Sequence, residues 1–155
     1  MNYQNYQRIS GQSVDFTLDG DLIHVEKVSL SISDNTAVAL TRGIPDGWVA
    51  GDVSAEGEIE LSSKSFAQIF AKARAAGSWR GIPPVDLMWY AKVGGEEFKI
   101  EAFGCKLILS DIIDVDPKGG ATLTHKIKFF VTSPNFVNTG GLSILESELT
   151  QKLTG

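Results

Sequence analysis

Asp52-Val53-Ser54-Ala55-Glu56-Gly57-Glu58-Ile59-Glu60-Leu61 alternates without a break, and its reading decides the fold. Val53, Ala55, Gly57, Ile59 and Leu61 share one face; Asp52, Ser54, Glu56, Glu58 and Glu60 share the other. A period of two marks a strand with one buried and one wetted face, the pattern of an antiparallel sheet. Three carboxylates in a row on one face repel one another unless that face meets water or cations. Glu56, Glu58 and Glu60 therefore admit two readings: an ordinary solvated sheet face, or a surface built to be negative, such as the wall of a wet channel. A pair of acids for glycoside hydrolysis is a third, but no aromatic sugar platform is placed beside them.

Working outward, the same period recurs. Residues 13–18 alternate and end at the hairpin-type turn Asp19-Gly20. Residues 22–32 alternate with an apolar face that switches near Lys27, which predicts a bulge or strong bend there. Strands are predicted at 85–93 and 98–109, joined by a hairpin at Gly94-Gly95, and at 122–132. One stretch, 63–76, has a helical period: Phe66, Ile69, Phe70 and Ala73 make one apolar stripe. Its N-cap is Ser62, Ser63, or Ser65 in a capping box with Gln68, and Gly77 stops it. The fold class is mainly β with one α-helix, an antiparallel sandwich or rolled barrel.

Two stretches are poorly patterned. Residues 34–51 hold Thr41-Arg42-Gly43-Ile44-Pro45-Asp46-Gly47-Trp48, read as a long projecting loop tipped by a large aromatic. Trp48 either folds back on the core or serves as an interface anchor; loop length, with Arg42 and Asp46 beside it, tilts the reading to the interface. Residues 133–155 carry Phe136, Val137, Leu142, Ile144 and Leu145, available to dock against something.

At 155 residues the chain is read as one domain spanning 1–155. A lone Cys105 rules out an internal disulfide scaffold, no window holds the ~18 consecutive apolar residues of a membrane helix, and residues 1–8 do not read as a secretory signal. A formal charge of −5, from 14 basic and 19 acidic residues, argues against gripping nucleic acid by its phosphates. Catalytic and cofactor chemistry is not evident. Cys105 with His24 or His125 would be a nucleophile pair, but an apolar strand surrounds the thiol, and core filler is the better reading. Asp111, Asp114 and Asp116 precede Pro117-Lys118-Gly119-Gly120; as a calcium loop this sets Lys118 where an oxygen ligand belongs, so a capped turn is read instead. No phosphate loop opens a helix. The expectation is no enzyme, no metal and no cofactor.

Several runs then carry a resemblance. Ile23-His24-Val25-Glu26-Lys27, Ser33-Asp34-Asn35, Thr41 to Gly47, Gly51 to Leu61, Ala76-Gly77-Ser78-Trp79-Arg80, Glu101 to Lys106, Asp114 to Gly120 and Thr132-Ser133-Pro134-Asn135-Phe136-Val137 resemble a family of unknown-function domains. That family is encoded in the tail modules of contractile-tailed bacteriophages, and the likeness covers about residues 8–140. The resemblance implies a tail tube (major tail) protein: a β-sandwich or rolled barrel with one helix, whose copies, typically six, form rings that stack into a tube. It implies these partners: further copies of itself, a contractile sheath protein, a tape measure protein, and baseplate and terminator proteins. DNA would pass through without specific binding, no membrane would be engaged, and the place of action would be the virion tail after assembly in the host cytoplasm. On this reading Glu56, Glu58 and Glu60 face the channel, and Arg42, Ile44, Asp46, Trp48 and Phe136 contact neighbouring subunits. The tube of a type VI secretion system or of a phage-tail-like bacteriocin is the alternative within that class. A monomeric β-barrel binding module with Trp48 at its ligand site is the alternative outside it.

Overall fold

A computed structural model describes residues 14–113, 117–119 and 123–146. Its elements are β1 (Asp15–Leu18), β2 (Asp21–Leu22), β3 (Lys27–Asp34), β4 (Ala37–Thr41), β5 (Ile44–Val49), β6 (Val53–Ser62), α1 (Ser63–Ala76), β7 (Val85–Val93), β8 (Glu96–Leu109), β9 (Thr124–Val131), β10 (Val137–Thr139) and β11 (Leu142–Ser143). Among the described residues, the chain adopts the predicted mainly β architecture with one helix. Nine strands join in one antiparallel sheet, in the order β2-β1-β7-β8-β9-β6-β3, with β10 on β8 and β11 on β10. β4 and β5 pair in a second, separate sheet.

Alternation in β6 sends Ala55, Ile59 and Leu61 inward, as read from the sequence. The large sheet curls around these side chains. Trp89 of β7 and Phe129 of β9 lie on strands that are not neighbours, yet their ring centroids are 6.2 Å apart, and Phe16 of β1 meets Trp89 at 5.4 Å. Curling needs Gly57: a Cβ there would run into the Ser29 carbonyl oxygen and come within 2.5 Å of the Phe129 ring. The alternating face thus has an aromatic in place of the side chain that Gly57 lacks.

α1 begins and ends where capping chemistry dictates. The Ser62 hydroxyl accepts from the Ser65 N–H, which makes Ser62 the N-cap, and Gly77 closes the helix in the left-handed region at φ 87°. The buried stripe is Ser65, Ile69 and Ala73, with Phe66 half-buried beside it. Phe70, expected in the stripe, lies at its edge under the Arg74 guanidinium, 4.6 Å from the ring centroid. Lys72 reaches Asp19 and Asp21 on the β1–β2 turn at 3.5 and 3.3 Å.

Other expectations shift. The predicted 22–32 strand breaks into β2 and β3 around a bend at 23–26, where Ile23 dips into the core while Leu22 stays exposed. β8 starts at Glu96, directly after the Gly94-Gly95 hairpin, and bends at Gly104 (φ 61°). On one side β8 pairs β7 from Glu96 to Cys105; on the other it pairs β10 before Gly104 and β9 after it. The poorly patterned 34–51 segment is no loop. It is the β4–β5 hairpin, closed by Arg42-Gly43 with both residues at positive φ, 54° and 77°. That is the backbone of a two-residue type I′ turn.

Candidate functional site

Strand register sets the surroundings of the three glutamates. Glu56 stands between Ser31 of β3 and Phe130 of β9, Glu58 between Ser29 and Lys128, and Glu60 between Lys27 and Lys126. Cross-strand partners share a face, so Lys128 stands beside Glu58 and Lys27 and Lys126 flank Glu60, while Glu56 has no lysine directly across. Opposite charges directly across strands contribute about 0.2–1 kcal/mol each, which relieves the repulsion along β6. Sequence reasoning missed Lys27, Lys126 and Lys128 because strands far apart in the chain supply them. The alternation of Lys126, Lys128 and Phe130 in β9 was the available signal.

The β4–β5 hairpin is an arm. Val38, Leu40, Ile44, Trp48 and Val49 are all strongly exposed on it, Trp48 at 66%. The register shift between Val38 and Leu40 places an extra residue on β5, so Val38, Leu40, Pro45 and Trp48 share one face, and Ile44 and Val49 share the other. Both faces are therefore apolar. At its base Asp34 accepts from the Thr36 hydroxyl (2.6 Å) and the Thr36 N–H (3.1 Å), bonds that hold its carboxyl below the usual carboxylate range. Asn35 N–H donates to the Asp52 carbonyl at 3.0 Å. Nearer the tip the Thr41 hydroxyl donates to Asp46 at 2.8 Å. Trp48 does not fold back on the core, so that reading of it is set aside.

A third feature is a cleft of about 980 Å³ between β1, the 23–26 bend, the start of β3 and the first turn of α1. Phe16, Val25, Leu30, Trp89, Phe98 and Ile100 line it, with the exposed Asp15, Glu26 and Lys64. It was not read from the sequence, because its walls come from seven separate elements.

Phe136, expected among the contacts to a neighbour, is buried in this chain's own core at 5% exposure. Its backbone sits at φ 58° and its carbonyl accepts from the Phe103 N–H at 3.0 Å. The positive φ turns the ring inward, so its side chain is not presented to a partner. The C-terminal segment docks, as far as it is described, on this chain: β10 pairs β8 and Val137 is fully buried.

Catalytic geometry does not assemble around the candidates. Burial pushes the Cys105 thiol up from 9.0 to about 12, with Asp86 adding to the shift, so it stays a protonated core residue. His125 is buried with both ring nitrogens engaged: Nδ1–H donates to the Ile112 carbonyl at 2.6 Å, and Nε2 accepts from the Ser63 hydroxyl at 3.0 Å. Its ring stacks on Phe66 at 4.3 Å. His24 is exposed beside the cleft. Among the described residues, no three His, Cys, Asp or Glu side chains are grouped to hold a metal. Asp114 and Asp116 lie outside the described residues.

Comparison with known proteins adds to this geometry. The profile of a family described as "Bacteriophage HP1, Orf24" matches residues 12–145. A protein of Haemophilus phage HP1 (strain HP1c1), named "Putative tail tube protein", is 55% identical over 149 residues, covering 96% of this chain and 99% of its own. Among solved structures, a chain of the sheath-tube complex of an extracellular contractile injection system (PVC), in its extended state, superposes with TM-score 0.68. It is 12% identical, over 88% of this chain and 94% of that one. A chain of the anti-feeding prophage tube-terminating cap gives the same TM-score and identity, over 86% and 91%. At that identity the likeness is one of fold.

Proposed function

The chain belongs to the bacteriophage HP1 Orf24 family, and on that premise we propose that it is the subunit of a phage tail tube. Copies associate into rings, six per ring on the resemblance, and the rings stack. A contractile sheath surrounds the stack, tape measure, baseplate and terminator proteins meet its interior and ends, and the genome leaves through it. The work is structural, with no catalytic step, and its place is the virion tail.

The observation that carries this reading is the arm. A two-stranded hairpin is marginal by itself in water, and one with apolar side chains on both faces needs cover on both. Neighbouring subunits supply that cover, with Arg42, Ile44, Asp46 and Trp48 as the contact residues. A head-to-tail contact of this kind repeats without closing and so builds a stack.

The face of Glu56, Glu58 and Glu60 is assigned to the channel. Its lysines change the expected physics. Affinity for DNA comes from cations that neutralise phosphates, and here each lysine stands across from a carboxylate that competes for it. The wall is then charge-balanced in place of uniformly repelling, and it still gives a passing duplex no continuous basic track.

Negative-stain microscopy of concentrated protein tests the assembly: rings and filaments support it, and a monomer at all concentrations overturns it. Deleting residues 37–49 should remove the filaments while circular dichroism retains the β signal. Replacing Glu56, Glu58 and Glu60 with Lys should make assembled tubes retain DNA at low salt; tubes that assemble but still ignore DNA overturn the channel assignment.

A further inference from the structure

We propose that the apolar cleft beside β1 and β3 is the receptor for the arm of a second copy of this chain. The inference rests on the tube reading above and goes beyond it, because it names where the arm lands.

Three observations point there. First, arm and cleft lie at opposite ends of one ladder. The arm leaves β3 at Asp34 and rejoins at Val53, whereas the cleft is bordered by Lys27 to Leu30 of β3 and by Ser62 at the far end of β6. An element at one end and its complement at the other make a heterologous contact, which adds copies in one direction without closing.

Second, the surfaces match in character. The cleft offers aromatic and aliphatic walls in a volume of about 980 Å³, at the upper end of the ~300–1,000 Å³ typical of binding pockets. The arm offers Trp48, Val38 and Leu40 on one exposed face. Tryptophan is among the residues enriched at interface hot spots, which cluster in well-packed, desolvated pockets.

Third, the charges agree. Arg42 at the arm's turn is the cation of residues 37–49, and the cleft carries the exposed carboxylates of Asp15 and Glu26 beside the exposed ammonium groups of Lys27 and Lys64. Asp46, the acid of the same stretch, would meet Lys64 at the start of α1. Charge pairs at a rim set register more than affinity.

Cysteine cross-linking tests this on the full chain. One preparation carries Val38→Cys, across from Trp48 on the arm with that ring kept, and another carries Leu22→Cys, an exposed position on the cleft wall. The two are mixed, assembled and mildly oxidised, and the product is read on a non-reducing gel. A mixed dimer is expected, at least tenfold above that from Val38→Cys with Ile113→Cys, an exposed site that does not line the cleft. Equal yields from the two mixtures overturn the proposal. So does the absence of dimer in samples where microscopy shows stacked rings, which leaves the tube reading standing. Failure of the unmodified protein to stack overturns the tube reading itself. The chain's own residues 1–13 are the competing occupant. A Tyr3→Cys/Leu22→Cys double variant that closes a disulfide within one chain in assembled samples overturns the intersubunit docking.

Discussion

Trp89 and Trp48 sit in antiparallel pairs of similar make, and their fates differ completely. Trp89 is buried where the curled sheet brings Phe16 and Phe129 against it. Trp48 stands in solvent on the arm. The large sheet has one apolar face and closes it on itself with α1 as cover. The arm has two apolar faces and a single layer, so no folding of its own can cover both. One region's stability is complete within the chain; the other's depends on what the chain meets.

Substitutions should separate the two regions sharply. Phe129→Ala removes a fully buried ring from the junction of β6, β7 and β9, and should cost about 3–5 kcal/mol in denaturant unfolding. Gly57→Ala should cost about 1–3 kcal/mol, because the added methyl meets the Ser29 carbonyl and the Phe129 ring, neither of which can withdraw. Neither loss should be recovered by raising protein concentration.

Cys105 probes the core through pH. Its thiol ionises at about 12 in the folded chain and at 9.0 when free of burial. The unfolded state therefore releases its proton first. Stability from this group is intact below pH 9 and declines as pH rises from there toward 12. A thiol reagent at pH 8 should label the native chain negligibly and the denatured chain fully.

The smallest effect on the isolated chain is expected at the arm. Trp48→Ala should change monomer stability by no more than about 0.5 kcal/mol, since the ring makes little contact to lose. The same substitution should abolish filaments under the microscope. A large loss of monomer stability would erase the contrast between the regions.

How much of this was legible in the sequence follows the same division. The helix 63–76, the face of β6 and the Gly94-Gly95 hairpin were readable because local period and turn chemistry determine them. The arm was not, since its strands lack alternation and its turn is Arg42-Gly43, where the usual cue is Asn or Asp before Gly. The lysines beside Glu58 and Glu60 and the inward turn of Phe136 were hidden for another reason. Register between distant strands and a single positive φ are set by tertiary structure, and no local pattern encodes them.

The arm's simple connectivity has a consequence in time. β4 and β5 are joined by a two-residue turn, and such hairpins close in about 1–10 μs. The cleft needs β1 beside β7 and β3 beside β6, pairings between segments well separated in the chain, and non-local pairings of that kind form more slowly. During synthesis the arm of a chain can thus close before that chain's own cleft is formed. On the docking proposed above, completion of the slow region sets when a chain can serve as receptor for the arm of another.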